Sequence, residues 1–171
     1  MEWRDLTLIV FERMSKDMEA AFEGLTVEDI NRQPTPETNS IGWLSWHLSR
    51  AQDRGLTEIS DFEQLWEKDE WYVKFNMPAN PQDVGAHHTP EDLATFKAPE
   101  PQVLMDYYHA VVERTKNFIT ELPEAELGRK IDHWKYENVG VRLAGIVHEG
   151  YIHIGQIEYL HGLFKGMGWH V

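Results

Sequence analysis

The sequence predicts an all-α chain, a four-helix bundle with a long crossover between its second and third helices. Three observations predict it: four long segments carry apolar residues at spacings of three and four, no stretch alternates long enough to build a sheet, and residues 61–98 interrupt the helical periodicity without forming a second pattern. At 171 residues the chain fits a single domain, 1–171, long enough to bury a sizeable core.

The first helix is expected over residues 2–22, where Leu6, Ile9, Val10, Met14, Met18, Ala21 and Phe22 share a face and the other face is charged. A short helical turn over 26–32 is capped by Thr26, with Asp29 completing an imperfect capping box, and Pro34 and Pro36 end it. The second helix starts at a cap on Asn39 or Ser40 and runs to about Ile59, with Ile41, Leu44, Leu48 and Ala51 facing inward. The crossover that follows holds Trp66, Trp71, Tyr72, Phe75 and several prolines. One short helical piece within it begins at Thr89, with Pro90 in the first helical position and Glu91 and Asp92 in the first turn. The third helix spans 101–122 and stops at Pro123, and the fourth spans 139–165 and ends at Gly166 and Gly168.

Composition excludes several functions. The 16 Lys plus Arg against 29 Asp plus Glu leave a formal net charge of -13, which repels nucleic-acid phosphates and anionic lipid surfaces. No apolar run approaches the roughly 18 to 20 residues of a membrane helix, so no membrane partner is expected. The charged start, Met1-Glu2-Trp3-Arg4-Asp5, does not read as a signal peptide, and a cytoplasmic location is the default expectation. There is no cysteine, which removes disulfides, thiolate ligands and a cysteine nucleophile. Any thiol used in chemistry here is brought by another molecule.

The chemistry-bearing residues are histidines and one glutamate. Glu149 and His153 are four apart and therefore lie one above the other on the last helix, with Gln156 continuing that line. On the second helix Trp43, His47, Arg50 and Arg54 form a comparable line at the edge of the apolar stripe. If the two lines face each other, His47, Glu149 and His153 form a two-histidine, one-carboxylate set. Such a set suits one divalent ion, Zn²⁺ first, with Ni²⁺, Fe²⁺ and Mn²⁺ as alternatives, and it leaves coordination positions open for water or substrate. Spacing alone also permits the plainer reading, in which these histidines are hydrogen-bonded packing residues.

A zinc-protease signature, His-Glu-x-x-His, is only mimicked at His148-Glu149. The second histidine would have to stand where Ile152 does, and His153 is about 140° around the helix from His148. Of the other histidines, His87 and His88 in the crossover read as solvated, although a loop histidine can line a pocket. His109 reads as a half-buried hydrogen-bonding residue, and His161 and His170 as surface groups. Trp43 and Trp46 flank His47 and are placed to wall an apolar pocket.

Two segments carry a family resemblance. Asn39-Ser40-Ile41-Gly42-Trp43-Leu44-Ser45-Trp46-His47-Leu48 followed by Arg50, and Glu149-x-x-x-His153-x-Gly155-Gln156, resemble the signature segments of the DinB/YfiT-like superfamily of metal-binding four-helix bundles. The resemblance covers essentially the whole chain. It implies an up-down-down-up bundle, a metal bound by one histidine of the second helix and two ligands on the last, and a possible homodimer. Many members carry three histidines. Glu149 in the middle position is similar instead to the mycothiol-dependent maleylpyruvate isomerase and thiol S-transferase branch.

Three functions compete on this basis. The first is a metal-dependent transferase or isomerase that activates an external low-molecular-weight thiol of the mycothiol or bacillithiol type for attack on a small-molecule substrate. The second is a metal-dependent hydrolase activating water, and the third a non-catalytic, stress-related binding module. Trp43, Arg50 and Gln156 are the expected substrate contacts, with Arg50 or Arg54 pairing with an anionic group.

Overall fold

Helix boundaries follow local chemistry. In the computed structural model, which describes residues 1–166, α1 spans Trp3–Phe22 and the Glu2 amide donates to the Asp5 carboxylate ahead of it. The short α2, Val27–Asn31, has a reciprocal capping box: the Thr26 amide donates to Asp29 at 2.9 Å and the Asp29 amide to the Thr26 hydroxyl at 3.2 Å. Ser40 caps α3, Ile41–Thr57, by accepting the Trp43 amide. The crossover holds three short pieces, α4 (Leu65–Lys68), α5 (Trp71–Lys74) and α6 (Pro90–Thr95), the last capped by Thr89. The long α7, Pro101–Glu121, is followed by a 3-10 turn, Glu124–Gly128. Asn138 then caps α8, Val139–Lys165. Gly166 ends α8 with a φ of 88°, a conformation glycine adopts freely; Gly168 and His170 lie outside the described residues.

The chain is all-α, with no strand among the described residues. Helices α1 and α3 each pack on both α7 and α8. Arg4, at the start of α1, donates to the carbonyls of Ile119 and Leu122 at the end of α7, so those helices run in opposite directions. The carbonyl of Ala21, at the end of α1, lies 2.7 Å from His161 near the end of α8, so those two run the same way. Arg142, in the first turn of α8, reaches Glu58 just beyond α3, which sets α3 and α8 antiparallel. The shared interior is filled by Phe11, Met14, Met18, Ile30, Trp46, Tyr108, Val111, Ile119 and Ile157, all 0% exposed. Each such side chain contributes about 1.5–3 kcal/mol on leaving water.

Helix α3 departs most from the sequence reading. Rather than one apolar stripe, every residue from 41 to 53 is buried, because the crossover lies over the face expected to meet solvent. Asp53 and Arg50 are the attachments. Asp53 accepts the first two amides of α4, from Leu65 at 3.0 Å and Trp66 at 2.9 Å, together with the Tyr107 hydroxyl and Arg114. Burial, reinforced by the neighbouring Asp53 charge, raises the Tyr107 phenol well above its ordinary value, so it stays a donor. Arg50 is 0% exposed and donates to Gln64 and to the crossover carbonyls of Asn80, Pro81 and Asp83. Buried charges of this kind persist only when fully paired, and the fork of Arg50 is matched by four oxygens.

Candidate metal centre

Helix α3 brings His47 to the α3/α8 interface, and α8 presents Glu149 and His153 one turn apart on the facing side. One ligand atom from each of the three lies within 4.8 Å of the others. The His47 Nε2 is 3.6 Å from Glu149 Oε1, and the two imidazoles meet edge to face with ring centroids 4.7 Å apart. The three sequence-predicted ligands therefore converge on one point. His47 is 7% exposed, whereas Glu149 and His153 are half-buried, so the point is reached from the α8 side.

Each imidazole is oriented by a partner on its far nitrogen. His47 Nδ1–H donates to the Val84 carbonyl in the crossover, and His153 Nδ1–H donates to Gln156 Oε1 at 2.8 Å. These partners fix the tautomers and leave both Nε2 lone pairs for a ligand. The His47 ring also lies flat on the Trp43 indole, with centroids 4.8 Å apart and planes 9° from parallel.

The charge states suit metal binding. The His47 imidazole beside Glu149 holds that carboxyl below the usual carboxylate range, against the opposing effect of its partial burial. Burial pushes the His153 imidazole below its usual value, partly offset by the Gln156 acceptor. A neutral imidazole and an ionised carboxylate are the forms that coordinate a cation. Two Nε2 atoms and a carboxylate, with both Nδ1 atoms already hydrogen-bonded outward, fit a divalent ion of the zinc type.

The remaining candidates divide. Trp43 and Gln156 stand beside the triad, the first behind His47 and the second on His153. The structure corrects the role expected of Arg50, because its guanidinium is 0% exposed and donates into the crossover rather than toward a substrate. Arg54 pairs with Glu58 at 3.4 Å and points toward the Gln82 carbonyl. His148 is exposed and lines an apolar groove with Trp3, Leu6, Val147 and Tyr151, away from the triad. His109 is half-buried beside Glu19, as its position suggested. His161 is corrected from surface to core, at 3% exposure, and His88 from solvated to partly buried between Trp43 and Trp46. The sequence reading missed Val84 altogether, since a backbone carbonyl leaves no trace in residue type.

Comparison with known proteins agrees with this geometry. The family model described as the DinB superfamily matches residues 10–157, most of the chain and all three candidate ligands. The chain belongs to the DinB superfamily. A crystal structure of a conserved protein from Enterococcus faecalis shares this DinB fold at 30% identity, covering 97% of this chain and 99% of that one with a TM-score of 0.87. No curated protein matches the chain.

Proposed function

We propose that this DinB-superfamily protein is a metal-dependent transferase or isomerase whose nucleophile is an external low-molecular-weight thiol of the mycothiol or bacillithiol type. The observation that carries the reading is the open three-ligand set, His47, Glu149 and His153, reached from one side. A divalent ion bound there, Zn²⁺ before Ni²⁺, Fe²⁺ or Mn²⁺, would lower the pKa of a coordinated thiol and make it nucleophilic at neutral pH. Glu149 supplies one negative charge against the ion's two. Val84 and Gln156 hold the imidazoles in register, and Trp43 closes the side behind His47 against water. The lack of cysteine requires the thiol to come from outside. The Glu149 position supports the thiol-using branch over the three-histidine pattern.

The cleft that Gln156 shares with the triad is assigned to the electrophilic partner. It has a volume of about 490 Å³ and is lined by Thr38, Asn39, Leu44, Ile152, Gln156 and Tyr159. Gln156 uses its carbonyl oxygen on His153, which leaves its amide nitrogen to donate to a substrate oxygen. The homodimer that the family resemblance implies is part of the same proposal, and exposed Tyr151 and Leu163 on α8, outside that cleft, are the apolar side chains it would cover.

The test is metal content by mass spectrometry for the wild type, His47→Ala and His153→Ala. Near one equivalent in the wild type and almost none in the variants is expected, whereas equal, near-zero content in all three refutes the metal site. Adding cellular thiols to the Co²⁺-substituted protein then reads the nucleophile directly. A visible spectrum unmoved by every thiol removes the thiol reading and leaves water activation.

A further inference from the structure

We infer that segment 80–88 of the crossover orients the candidate ligand His47 and that His88 is a positioning residue, which fixes His47 through Trp43. The inference rests on the metal reading of the triad and adds to it residues that touch neither ion nor substrate.

An imidazole ligand must aim its lone pair along the metal bond, which requires both its tautomer and its ring plane to be set. For His47 the tautomer is set by Val84, whose carbonyl accepts Nδ1–H. The plane is set by Trp43, because turning the imidazole about its Cβ–Cγ bond would tilt it out of a stack that is 9° from parallel. Trp43 is held in turn. Its Nε1–H donates to His88 Nδ1 at 3.0 Å, and since indole nitrogen is only a donor, the His88 proton must sit on Nε2. That nitrogen faces Asp83 Oδ1 at 3.2 Å, which also accepts the Gly85 amide at 3.0 Å. The His88 ring stacks on Trp46, with centroids 5.6 Å apart and planes 16° from parallel.

Asp83, Val84, Gly85 and His88 thus form one turn that grips both Trp43 and His47. Arg50 ties the front of that turn to α3 through the Asn80, Pro81 and Asp83 carbonyls. Gly85 is where the turn and the indoles come closest. A Cβ there would lie 2.7 Å from Trp43 and 2.8 Å from Trp46, and its φ of +82° is one that side chains rarely adopt. A loop needed only to join two helices has no reason to place a carbonyl, an imidazole and a carboxylate in series on a candidate ligand.

The experiment measures Zn²⁺ affinity of the full chain by competition with a chromophoric chelator, with the Co²⁺ absorption spectrum and metal-free melting temperature as companions. His88→Leu and Trp43→Phe each remove the Trp43–His88 hydrogen bond, the second while keeping a ring against His47. Each is expected to weaken Zn²⁺ binding about 10- to 100-fold and to shift the Co²⁺ bands. The double variant is expected to be no weaker than either single one, because both break the same link. His88→Asn, whose side-chain oxygen replaces Nδ1 as acceptor, is expected to restore affinity and spectrum. Wild-type affinity in Trp43→Phe, additive losses in the double variant, or equal losses in His88→Asn and His88→Leu would each overturn the inference while leaving the metal site standing. A wild type that binds no Zn²⁺ refutes the metal reading and this inference with it. If His88→Leu does not fold, the comparison of Trp43→Phe with His88→Asn decides.

Discussion

His47 and His153 meet edge to face, their ring centroids 4.7 Å apart and their planes at 88°, although one belongs to α3 and the other to α8. An ion held by both residues would join two antiparallel helices and bind the folded chain in preference to the unfolded one. At a concentration one hundred times its dissociation constant such a ligand stabilises by about 2.7 kcal/mol. For a chain of this size that raises the melting temperature by about 5–10 °C. Zn²⁺ titration followed by calorimetry is expected to show this rise in the wild type and none in His153→Ala, with Glu149→Gln between them. A wild-type melting temperature unmoved by Zn²⁺, Ni²⁺, Fe²⁺ and Mn²⁺ would refute the bridging site.

Acidification should weaken the metal-free protein in two stages. The folded His153 is depressed from its ordinary value of 6.5, so the unfolded chain takes up that proton first. Its contribution is present above about 6.5 and is lost as pH falls through the folded value. Glu149 is depressed from 4.5 by the His47 imidazole beside it, so its contribution is present above 4.5 and lost on further acidification. Melting temperatures in the presence of a chelator, taken across this range, should fall first below about pH 6.5 and again below about 4.5. His153→Gln should remove the upper step alone. An upper step that persists in that variant assigns it to another histidine.

The sequence showed the candidate ligands more clearly than their setting. Glu149 and His153 were legible because a spacing of four on a helix is a geometric statement, and Ile152 excluded the competing protease motif on the same ground. The Ser40 and Thr89 caps were legible because capping depends on local chemistry. The burial of α3 was not, since Arg50 and Asp53 look like a solvated face until the crossover is laid over them, and Gln52 until Thr115 of α7 accepts its amide. His88 and His161 were misplaced for the same reason. Their environments are built by segments distant in sequence, the Trp43 indole for one and the end of α1 for the other.

Gly42 is a second test of that packing. A Cβ at this position would stand 2.4 Å from the Ala98 Cβ and 3.0 Å from the Ile30 carbonyl oxygen, so the start of α3 has no room to absorb it. Helix propensity alone favours alanine over glycine by about 1 kcal/mol. Overpacking against backbone is the larger effect, at about 1–3 kcal/mol. Gly42→Ala is therefore expected to lower the melting temperature by a few degrees. An increase would show that Ala98 and α2 yield to the methyl group.

Arg50→Lys separates the fold's need for a charge from its need for a fork. Lysine keeps the positive charge near Asp53, which lies 3.8 Å from the guanidinium, but it cannot serve the Gln64, Asn80, Pro81 and Asp83 oxygens together. Leaving buried acceptors unmatched costs on the order of 3 kcal/mol, a loss of about 6–12 °C in melting temperature. The same carbonyls anchor the turn that carries Val84, so Zn²⁺ affinity should fall by about tenfold as the His47 acceptor loses register. Arg54→Lys, on the half-buried arginine one turn further along α3, is the control and should change both quantities little. A loss of stability with unchanged Zn²⁺ affinity would mean that the crossover covers α3 without setting the His47 ligand. Wild-type values of both would mean that charge, and not the guanidinium fork, holds the crossover in place.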